Sequence, residues 1–550
     1  MAERRIELPD QSAGLFVRQA TGLVREAGLV DTVFFNWVSG GAVGLALVYN
    51  VYWALNAFPG VDLVAATLLV VPFAVCAVLV FSLLAASMPR SGGDYVFVSR
   101  VVHPVWGFIS SWTGFVSVTA YNGWVAWFAA VAFVPAALGV LAQTTGNDAF
   151  LDVASWASGK AGSFVIGAAI LLVGGAVMSA GLKVALRAIT VLAVVGLIGL
   201  GSAALVLATH DRGDFVQRFD SFARSSVGPD AYSTILQLGA QAGLSPVPAG
   251  SAPWASATLP SMVIAFYAIG YSVWSIYYAG EFKGARERTR HLTSMLVPTA
   301  LNTVVFVLLY LLMFHAVGYE FLNASSYLYN WAPDSYPLAV PPFVPLFAGL
   351  LSGNAVLNVI IAVSWVTWPV AMVFLIMVGF SRLLFAWSFD GVMPTWLAEV
   401  NERTHAPVRA IAASVALSLL ALVLLLTVEA YLTFLAYTVL LALVFWASMA
   451  LAGILLPFRQ RDVYRSGPAR WEIGGVPVVT LAGVVLLAFV LFELAMVFLH
   501  PGLGIVDRGQ AALVAVAVMA VGAILFLVAY LVKRSRGQDL LLVFREIPPE

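Results

Sequence analysis

Two short glycine-containing stretches interrupt long apolar segments. The backbone groups at these interruptions are the main candidates in this chain for binding a ligand. Ser39, Gly40 and Gly41 lie in the middle of one segment, and residues 268–272, which include Gly270, lie in the middle of another. A glycine pair lowers helix propensity by about 2 kcal/mol relative to alanine, so a helix break is predicted. In a bilayer, a broken helix is tolerated where its freed N–H and C=O groups line a cavity. Either stretch alone could instead serve close helix packing.

The composition indicates that these segments lie in a membrane. The chain has 550 residues, of which 61% are apolar and 10% are charged, whereas soluble domains carry about 25% charged residues. So few charges cannot cover a water-facing surface. Basic and acidic residues balance at 28 each, without the basic excess that phosphate binding requires, so nucleic acid is not an expected partner. Cys76 is the only cysteine, which excludes an intramolecular disulfide and a cysteine-based metal site.

Twelve apolar segments are long enough to cross a bilayer, which takes about 20 helical residues. The predicted spans are roughly 27–56, 61–88, 104–138, 163–181, 184–208, 259–281, 291–317, 353–388, 407–428, 431–457, 476–499 and 510–532. Each broken span is the first of a half with five spans, over 27–208 and 259–457. Because five is odd, the second half must run opposite to the first. Matched interruptions in inverted halves are typical of transporter binding sites, and this pairing favours a site over simple packing.

The basic residues predict how the chain is oriented. Of the 28 Lys and Arg residues, 23 fall on the side that carries both termini and 5 fall in the opposite loops. This asymmetry predicts a multi-pass protein of the plasma membrane with cytoplasmic N- and C-termini. The predicted organisation is a cytoplasmic tail over 1–26, a ten-helix core over 27–457, two more membrane helices over 458–532 and a cytoplasmic tail over 533–550.

Three segments on the predicted cytoplasmic side resemble those of a known family. They are 88–95 (Met-Pro-Arg-Ser-Gly-Gly-Asp-Tyr), 279–286 (Ala-Gly-Glu-Phe-Lys-Gly-Ala-Arg) and 381–394, which begins Ser-Arg and ends Asp-Gly-Val-Met-Pro. Together they are similar to the amino acid–polyamine–organocation superfamily of permeases. The second segment departs from the family, which usually has two acids where this chain has Gly280-Glu281 and Asn-Pro where it has Gly284-Ala285.

This resemblance covers about residues 20–460 and has clear implications for fold and function. It implies an all-α transmembrane bundle of the LeuT type, with an inverted five-plus-five helix repeat and broken helices 1 and 6. It also implies secondary active transport of amino acids or related amines by alternating access. The substrate is expected between the two broken helices.

Backbone groups at the breaks are expected to bind the two charged ends of an amino acid. The N-terminus of a half-helix presents free N–H groups and a partial positive charge, which bind a carboxylate without a basic side chain. The second half of helix 1 is therefore expected to bind the substrate carboxylate, and freed carbonyls on helix 6 to bind its ammonium group. The predicted substrate-binding residues are Ser39, Gly40, Gly41, Ala42, Tyr121, Phe266, Tyr267, Ala268, Gly270 and Tyr271.

The distribution of ionisable side chains favours neutral substrates. No Asp, Glu, Lys or Arg lies near the predicted midplane of helices 1, 3, 6, 8 or 10, and an unpaired charge there would be costly. Glu493 lies in helix 11, beyond the ten-helix core, where it could pair within the bundle or at a dimer contact. Side chains that could wall the cavity, or simply pack the bundle, are Ser117, Asn122, Ile269, Trp274, Trp365 and Trp368.

The coupling ion is left open between sodium, proton and exchange without an ion. Proton-coupled members of the family often carry a lysine in the middle of helix 5, where residues 192–200 of this chain have no ionisable side chain. Sodium needs hard oxygen ligands, which Ser364 and Thr367 on helix 8 could supply together with carbonyls of helix 1. These hydroxyls could equally bond to their own helix beside Pro369. No cofactor, metal site or catalytic residue is predicted.

Charged residues at the predicted cytoplasmic ends of the helices could form a gate. Arg25 precedes helix 1 and Asp390 follows helix 8. In the family fold these two ends meet, so a pair there would close the inward path and separate on opening. Arg382 with Asp94 or Glu281 is a second possible set. Alternatively, these charges are solvated and serve only the positive-inside asymmetry.

Other function classes fit the sequence less well. A channel predicts rings of like charge or repeated carbonyl filters, and an enzyme predicts a nucleophile elbow, a His–Glu metal motif or a phosphate loop. None of these is present. A solute sensor on the transporter fold, an amino acid exchanger and a polyamine carrier stay open as alternatives. The expected partners are a small-molecule substrate and the lipid bilayer, and no oligomeric state is predicted.

Overall fold

The computed structural model describes residues 22–245 and 247–545 of the chain. The predicted N-terminal tail therefore lies almost wholly outside the described residues. In the described part, the only strands are the paired two-residue segments Glu472–Ile473 and Val476–Pro477. Eleven of the described helices are long and apolar enough to cross a membrane. The predicted all-α polytopic bundle is confirmed.

We number the spanning segments α1 to α12 in chain order. The bounds are α1 Leu29–Leu47, α2 Leu63–Ser87, α3 Pro104–Thr145, α4 Lys160–Ser179, α5 Leu182–Thr209, α6 Thr258–Ile269, α7 Arg288–Ala316, α8 Ala355–Phe389, α9 Val408–Thr427, α10 Tyr431–Arg459, α11 Val478–Leu499 and α12 Arg508–Ser535. Each agrees with a predicted span to within several residues, except at the end of α6. The segments Val48–Trp53 and Ala54–Ala57 extend α1 beyond its apolar core.

The break in α1 falls at the predicted residues. The first half of the helix ends at Ser39 and the second half begins at Val43. Between them, Gly41 has a φ of 94° and Ala42 a φ of 43°. Glycine adopts positive φ without a steric penalty, whereas a left-handed residue with a Cβ costs about 1–2 kcal/mol. Gly41 thus permits a local change of backbone direction that a continuous helix could not make.

After its break, α6 does not resume as an α-helix, although the predicted span continued to residue 281. The segments Trp274–Tyr277 and Ala279–Glu281 form single 3₁₀ turns instead. Their backbone groups bond to other parts of the chain: the N–H of Gly92 donates to the carbonyl of Tyr277 at 2.9 Å, and the N–H of Ala27 donates to the carbonyl of Glu281 at 3.0 Å. These long-range bonds replace the helical ones that the sequence pattern suggested.

The two long connections on the face opposite the predicted cytoplasmic one contain helices of their own. Residues 209–258 include Arg212–Ala223 and Ala231–Gln241, and residues 318–352 include Tyr319–Trp331 and Val344–Ser352. Aromatic rings join them, since Tyr232 stacks on Phe321 with ring centroids 4.6 Å apart. The two connections therefore pack against each other.

Helix α11 packs against the bundle through one face, although it lies outside the predicted ten-helix core. The ring of Phe489 stacks on Phe73 of α2 with centroids 4.3 Å apart, and it lies 4.9 Å from the ring of Phe266 on α6. A Cβ on Gly483 would lie 2.9 Å from the carbonyl oxygen of Ala450 on α10. Helix α11 is therefore in direct contact with the broken helix α6.

Candidate functional site

The two interrupted segments contact each other inside the bundle. The hydroxyl of Ser39 donates to the carbonyl of Tyr271 at 2.9 Å. A Cβ on Gly41 would lie 3.6 Å from the Tyr267 carbonyl oxygen and from the Ala268 Cα. The backbones of α1 and α6 therefore approach closely where both are unwound. Most of the predicted substrate-binding residues lie at this junction or border it.

Two asparagines that the sequence analysis missed hold the junction together. The side-chain amide of Asn36 donates to the Ser275 hydroxyl at 2.8 Å and to the Ser294 carbonyl at 2.9 Å, and its oxygen accepts from the Ser275 N–H at 2.9 Å. The amide nitrogen of Asn302 on α7 lies 3.4 Å from the carbonyl of Ala268 and from the hydroxyl of Ser272. Neither residue belongs to a motif, and the available signal was an amide within an apolar span.

The contact of Asn302 occupies a backbone carbonyl that was predicted to bind the substrate. The Ala268 carbonyl, predicted to bind a substrate ammonium group, already faces the Asn302 amide. A side chain at Gly40 would collide with that same amide and with the Ser272 hydroxyl. Gly40 thus serves close packing at this position, while the Tyr267 carbonyl lies on the side of Gly41.

Aromatic side chains next to the junction are incompletely buried. Gly41, Tyr121, Tyr267 and Tyr271 are only half-buried, although the residues around them in the sequence are mostly buried. The rings of Tyr267 and Tyr271 stack with centroids 4.9 Å apart. Tyr121 on α3 interacts electrostatically with both phenols. These half-buried groups bring α1, α3 and α6 to one common region, as the substrate prediction requires.

Other residues that were predicted as possible cavity walls pack the bundle. Ile269 and Trp274 are buried, and Phe266 packs its ring 5.1 Å from Trp446. Trp365 stacks on Phe133 at 5.2 Å. The remaining members of that set are also engaged: Trp368 would contact any side chain placed at Gly44 or Gly196, Ser117 donates to the Thr438 carbonyl, and Asn122 donates to Ser418.

The two hydroxyls considered for sodium bond to their own helix. Ser364 donates to the Ile361 carbonyl at 2.9 Å, and Thr367 donates to the Ser364 carbonyl at 2.7 Å. They face α5, because a Cβ on Gly196 would lie 3.0 Å from the Thr367 hydroxyl and one on Gly199 would collide with Ser364. Each oxygen keeps a lone pair, so an ion-binding role stays a prediction.

The predicted pairing of Arg25 with Asp390 is wrong for this structure. The carboxylate of Asp390 lies 2.6 Å from the guanidinium of Arg100, and the two side chains are 3% and 1% exposed, whereas Arg25 is exposed. The reason is that residues 94–101 form a helix that folds back into the bundle. Residues 89–103 lie between two predicted spans and have the polarity of a loop, so the burial of Arg100 was not predicted.

The second predicted set forms in one of its two versions. Arg382 donates two hydrogen bonds to the carboxylate of Glu281, each at 3.1 Å, and both side chains are buried. The Ser91 hydroxyl donates to the same carboxylate at 3.2 Å. This arrangement links the end of the α6 segment, helix α8 and the connection after α2.

Asp94, the other acid in that set, is buried beside the hydroxyl of Tyr277. Burial raises the pKa of Asp94 to about 7, and the nearby hydroxyl of Tyr277 opposes this increase. The carboxyl group therefore titrates near neutral pH, unlike an exposed aspartate.

The end of the chain covers the Arg100–Asp390 pair. The segment Leu540–Arg545 forms a short 3₁₀ helix whose Leu540, Val543 and Phe544 are buried. The ring of Phe544 lies 5.0 Å from the Arg100 guanidinium, which is a cation–π contact. The predicted cytoplasmic tail is therefore partly a packed element of the bundle.

A bundle of apolar helices, two of which are unwound where they meet, defines a polytopic membrane protein. The family model described as "Amino acid permease" matches residues 34–527. The match covers most of the chain, including both breaks and both buried ion pairs. The chain belongs to the amino acid permease family, which indicates a transporter rather than an enzyme. No curated protein matches the chain by sequence.

Replacing Arg382 with glutamine is expected to destabilise the protein by about 3–5 kcal/mol, because the buried Glu281 carboxylate loses its cation. Arg409→Gln is the matched control, since Arg409 pairs with Glu399 at the surface and such pairs contribute about 1 kcal/mol or less. Thermal unfolding in detergent measures both changes. Equal melting temperatures for the two variants would contradict the structural role of the buried pair.

The exposure of residues 94–101 to water is expected to depend on Phe544. In Phe544→Ala, backbone amides of this helix should exchange hydrogen for deuterium faster than in the wild type, because the cover over Arg100 is lost. Leu541→Ala is the control, since Leu541 is exposed in the same turn. Mass spectrometry of exchanged peptides provides the measurement, and identical exchange in all three proteins would refute the covering role.

The stability of the protein is expected to fall with rising pH because of Asp94. Its pKa in the folded protein, about 7, lies above the ordinary value of 3.8, so folding favours the protonated form and stability is lost as pH rises between these values. Asp94→Asn should remove this part of the pH dependence, and Asp462→Asn, an exposed control, should keep it. Melting temperatures at about pH 5 and about pH 7 test the difference.

Proposed function

We propose that the protein is a secondary active transporter that moves neutral amino acids across the plasma membrane by alternating access. Membership of the amino acid permease family supports a transporter of amino acids or amines. The single observation that carries the finer proposal is the contact between the unwound segments of α1 and α6. Unwound backbone is stable at membrane depth where it lines a cavity or is buried in protein, and transporters use it to bind substrate.

The two breaks offer complementary groups to an amino acid. The helix that restarts at Val43 has free N–H groups at its first turn, which attract a carboxylate. The Tyr267 carbonyl lies on the opposite side of the same junction, close to Gly41, and can accept a hydrogen bond from an ammonium group. Because Gly41 has no side chain and is half-buried, a ligand can approach this backbone closely.

The surroundings of the junction favour an uncharged substrate side chain. Tyr121, Tyr267 and Tyr271 are half-buried, and no ionisable acid or base of α1, α3, α6, α8 or α10 lies in the sequence near the breaks. A cationic or anionic side chain would therefore be without a direct partner on these five helices, at a cost of several kcal/mol.

Two buried ion pairs close the path to the proposed substrate site on one side of the membrane. The pairs Arg100–Asp390 and Glu281–Arg382 join segments that surround the inner ends of α6 and α8. The excess of Lys and Arg on this side supports its assignment to the cytoplasm. In the proposed cycle these pairs separate to release the substrate inward and re-form to close the path.

Thermal unfolding and uptake together test the proposal. Purified protein is heated with each common amino acid and with polyamines, because a ligand of the native state raises the apparent melting temperature. Neutral amino acids that raise it should also enter proteoliposomes that contain the protein. Binding without uptake would instead favour a sensor, and shifts with polyamines alone would overturn the substrate class.

Substituting Gly41 with valine is expected to abolish uptake. A β-branched side chain is strained at a φ of 94°, and its Cβ would lie 2.8 Å from that of Ala46, so the proposed carboxylate site is lost. Gly201→Val is the matched control, because a side chain at Gly201 meets nothing within 4 Å. Normal uptake by a membrane-inserted Gly41→Val protein would refute the assignment of this site.

A further inference from the structure

Glu493 is an acid in the middle of a membrane helix and faces the inside of the bundle. It lies in α11, its side chain is buried, and the residue is 2% exposed. The buried residues of this helix recur at helical spacing and share its face: Ala482, Leu486, Phe489, Val490 and Val497. Because Glu493 follows Phe489 by one turn on this face, it lies near the region where Phe489 contacts Phe266 of α6.

No cation among the residues that the structure describes balances the carboxylate of Glu493. Within the part of the chain that the structure describes, it forms no salt bridge and no hydrogen bond to another side chain or backbone group. The helices packed against α11 are α2, α6 and α10, and Arg459, at the far end of α10, is their only basic residue. The titratable groups on these elements are Cys76, Tyr267, Tyr271, Tyr431 and Tyr437.

Titratable groups of the α6 break interact with Glu493. Glu493 interacts electrostatically with the phenols of Tyr267 and Tyr271. These two residues are half-buried, and the Tyr267 carbonyl lies close to Gly41. The backbone carbonyl of Tyr271 also accepts a hydrogen bond from the Ser39 hydroxyl. The acid is thus linked through one pair of tyrosines to the junction of α1 and α6.

An unpaired carboxylate in such a place is stable only in its neutral form, since an isolated buried charge costs many kcal/mol. A proton on Glu493 removes that cost. The proton can leave only when water or a hydrogen-bond chain reaches the group, and phenol hydroxyls can both donate and accept in such a chain. A movement of the α6 break would change that access, because both phenols are carried by this segment.

We propose that Glu493 is the proton-binding site through which this transporter couples amino acid uptake to the proton gradient. The proposal rests on the proposed function. A proton from the outer side binds the carboxylate to form the carboxylic acid, crosses with the substrate in the same access change, and is released to the inner side, which restores the carboxylate. This places the coupling group on α11, whereas the middle of α5 carries no ionisable residue.

Proteoliposomes with an imposed inward pH gradient test the coupling. The probe is a mixture of radiolabelled neutral amino acids, and the variants are Glu493→Gln and, as a control, Glu429→Gln, which alters an exposed acid. Wild type and control should accumulate substrate about tenfold per pH unit, the limit for one proton. Glu493→Gln should lose accumulation yet still exchange substrate across the membrane in counterflow, because exchange needs no net proton movement.

Infrared difference spectroscopy of the purified proteins gives a readout that does not depend on transport. All proteins carry Asp94→Asn in this experiment, because the buried carboxyl of Asp94 would give a band of its own. In this background the parent protein and Glu429→Gln should show the C=O stretch of a buried carboxylic acid at neutral pH, and Glu493→Gln should lack it. Absence of that band in the parent protein would overturn the proposal, even if Glu493→Gln were inactive or unstable.

The remaining outcomes separate this proposal from the proposed function. Gradient-driven accumulation by Glu493→Gln at the wild-type level would overturn the coupling role, and so would wild-type uptake that depends on sodium but not on pH. A change of selectivity from cationic to neutral amino acids in Glu493→Gln would also overturn it, since Glu493 would then bind a substrate cation. The infrared band, together with a wild type that transports no amino acid, would support the proton site and refute the proposed function.

Discussion

The rest of the structure depends on one requirement, which is that every unwound backbone group inside the membrane must find a partner. At the α1 and α6 breaks the partners come from side chains and from distant backbone. Asn36 and Asn302 bond to groups of both broken helices or their neighbours, and Ser39 bonds to the Tyr271 carbonyl. In lipid an unpaired group costs several kcal/mol, so these bonds both permit the breaks and fix their positions. The groups that remain without partners are those available to a ligand.

The same requirement governs the charges on the predicted cytoplasmic face. Arg100, Asp390, Glu281 and Arg382 are buried and are tolerated because each has an ionic partner. A buried pair contributes little net stability compared with an apolar pair, but it imposes a penalty on any state that separates its members. Such a penalty suits a closure that must open and re-form. Glu493 differs from these four, since it forms no ion pair with any residue that the structure describes.

The sequence allowed much of the bundle to be predicted, because membrane spans are defined by the length of an apolar run and this signal is strong. The α1 break followed from Gly40 and Gly41, where propensity alone interrupts the helix. The end of α6 was not predictable, because its 3₁₀ turns depend on backbone bonds to residues that lie far away in the sequence. Arg100 was missed for a related reason: a short helix that folds back into the bundle has the polarity of a loop.

The main-chain bonds between Gly92 and Tyr277 and between Ala27 and Glu281 have a consequence for how such proteins diverge. A bond between backbone atoms survives almost any exchange of side chains, provided that the local conformation is kept. The attachment of the α6 segment to the chain before α1 and after α2 can therefore persist while the side chains around it drift. This explains how the segment over 279–286 can depart from the usual family pattern without loss of the architecture.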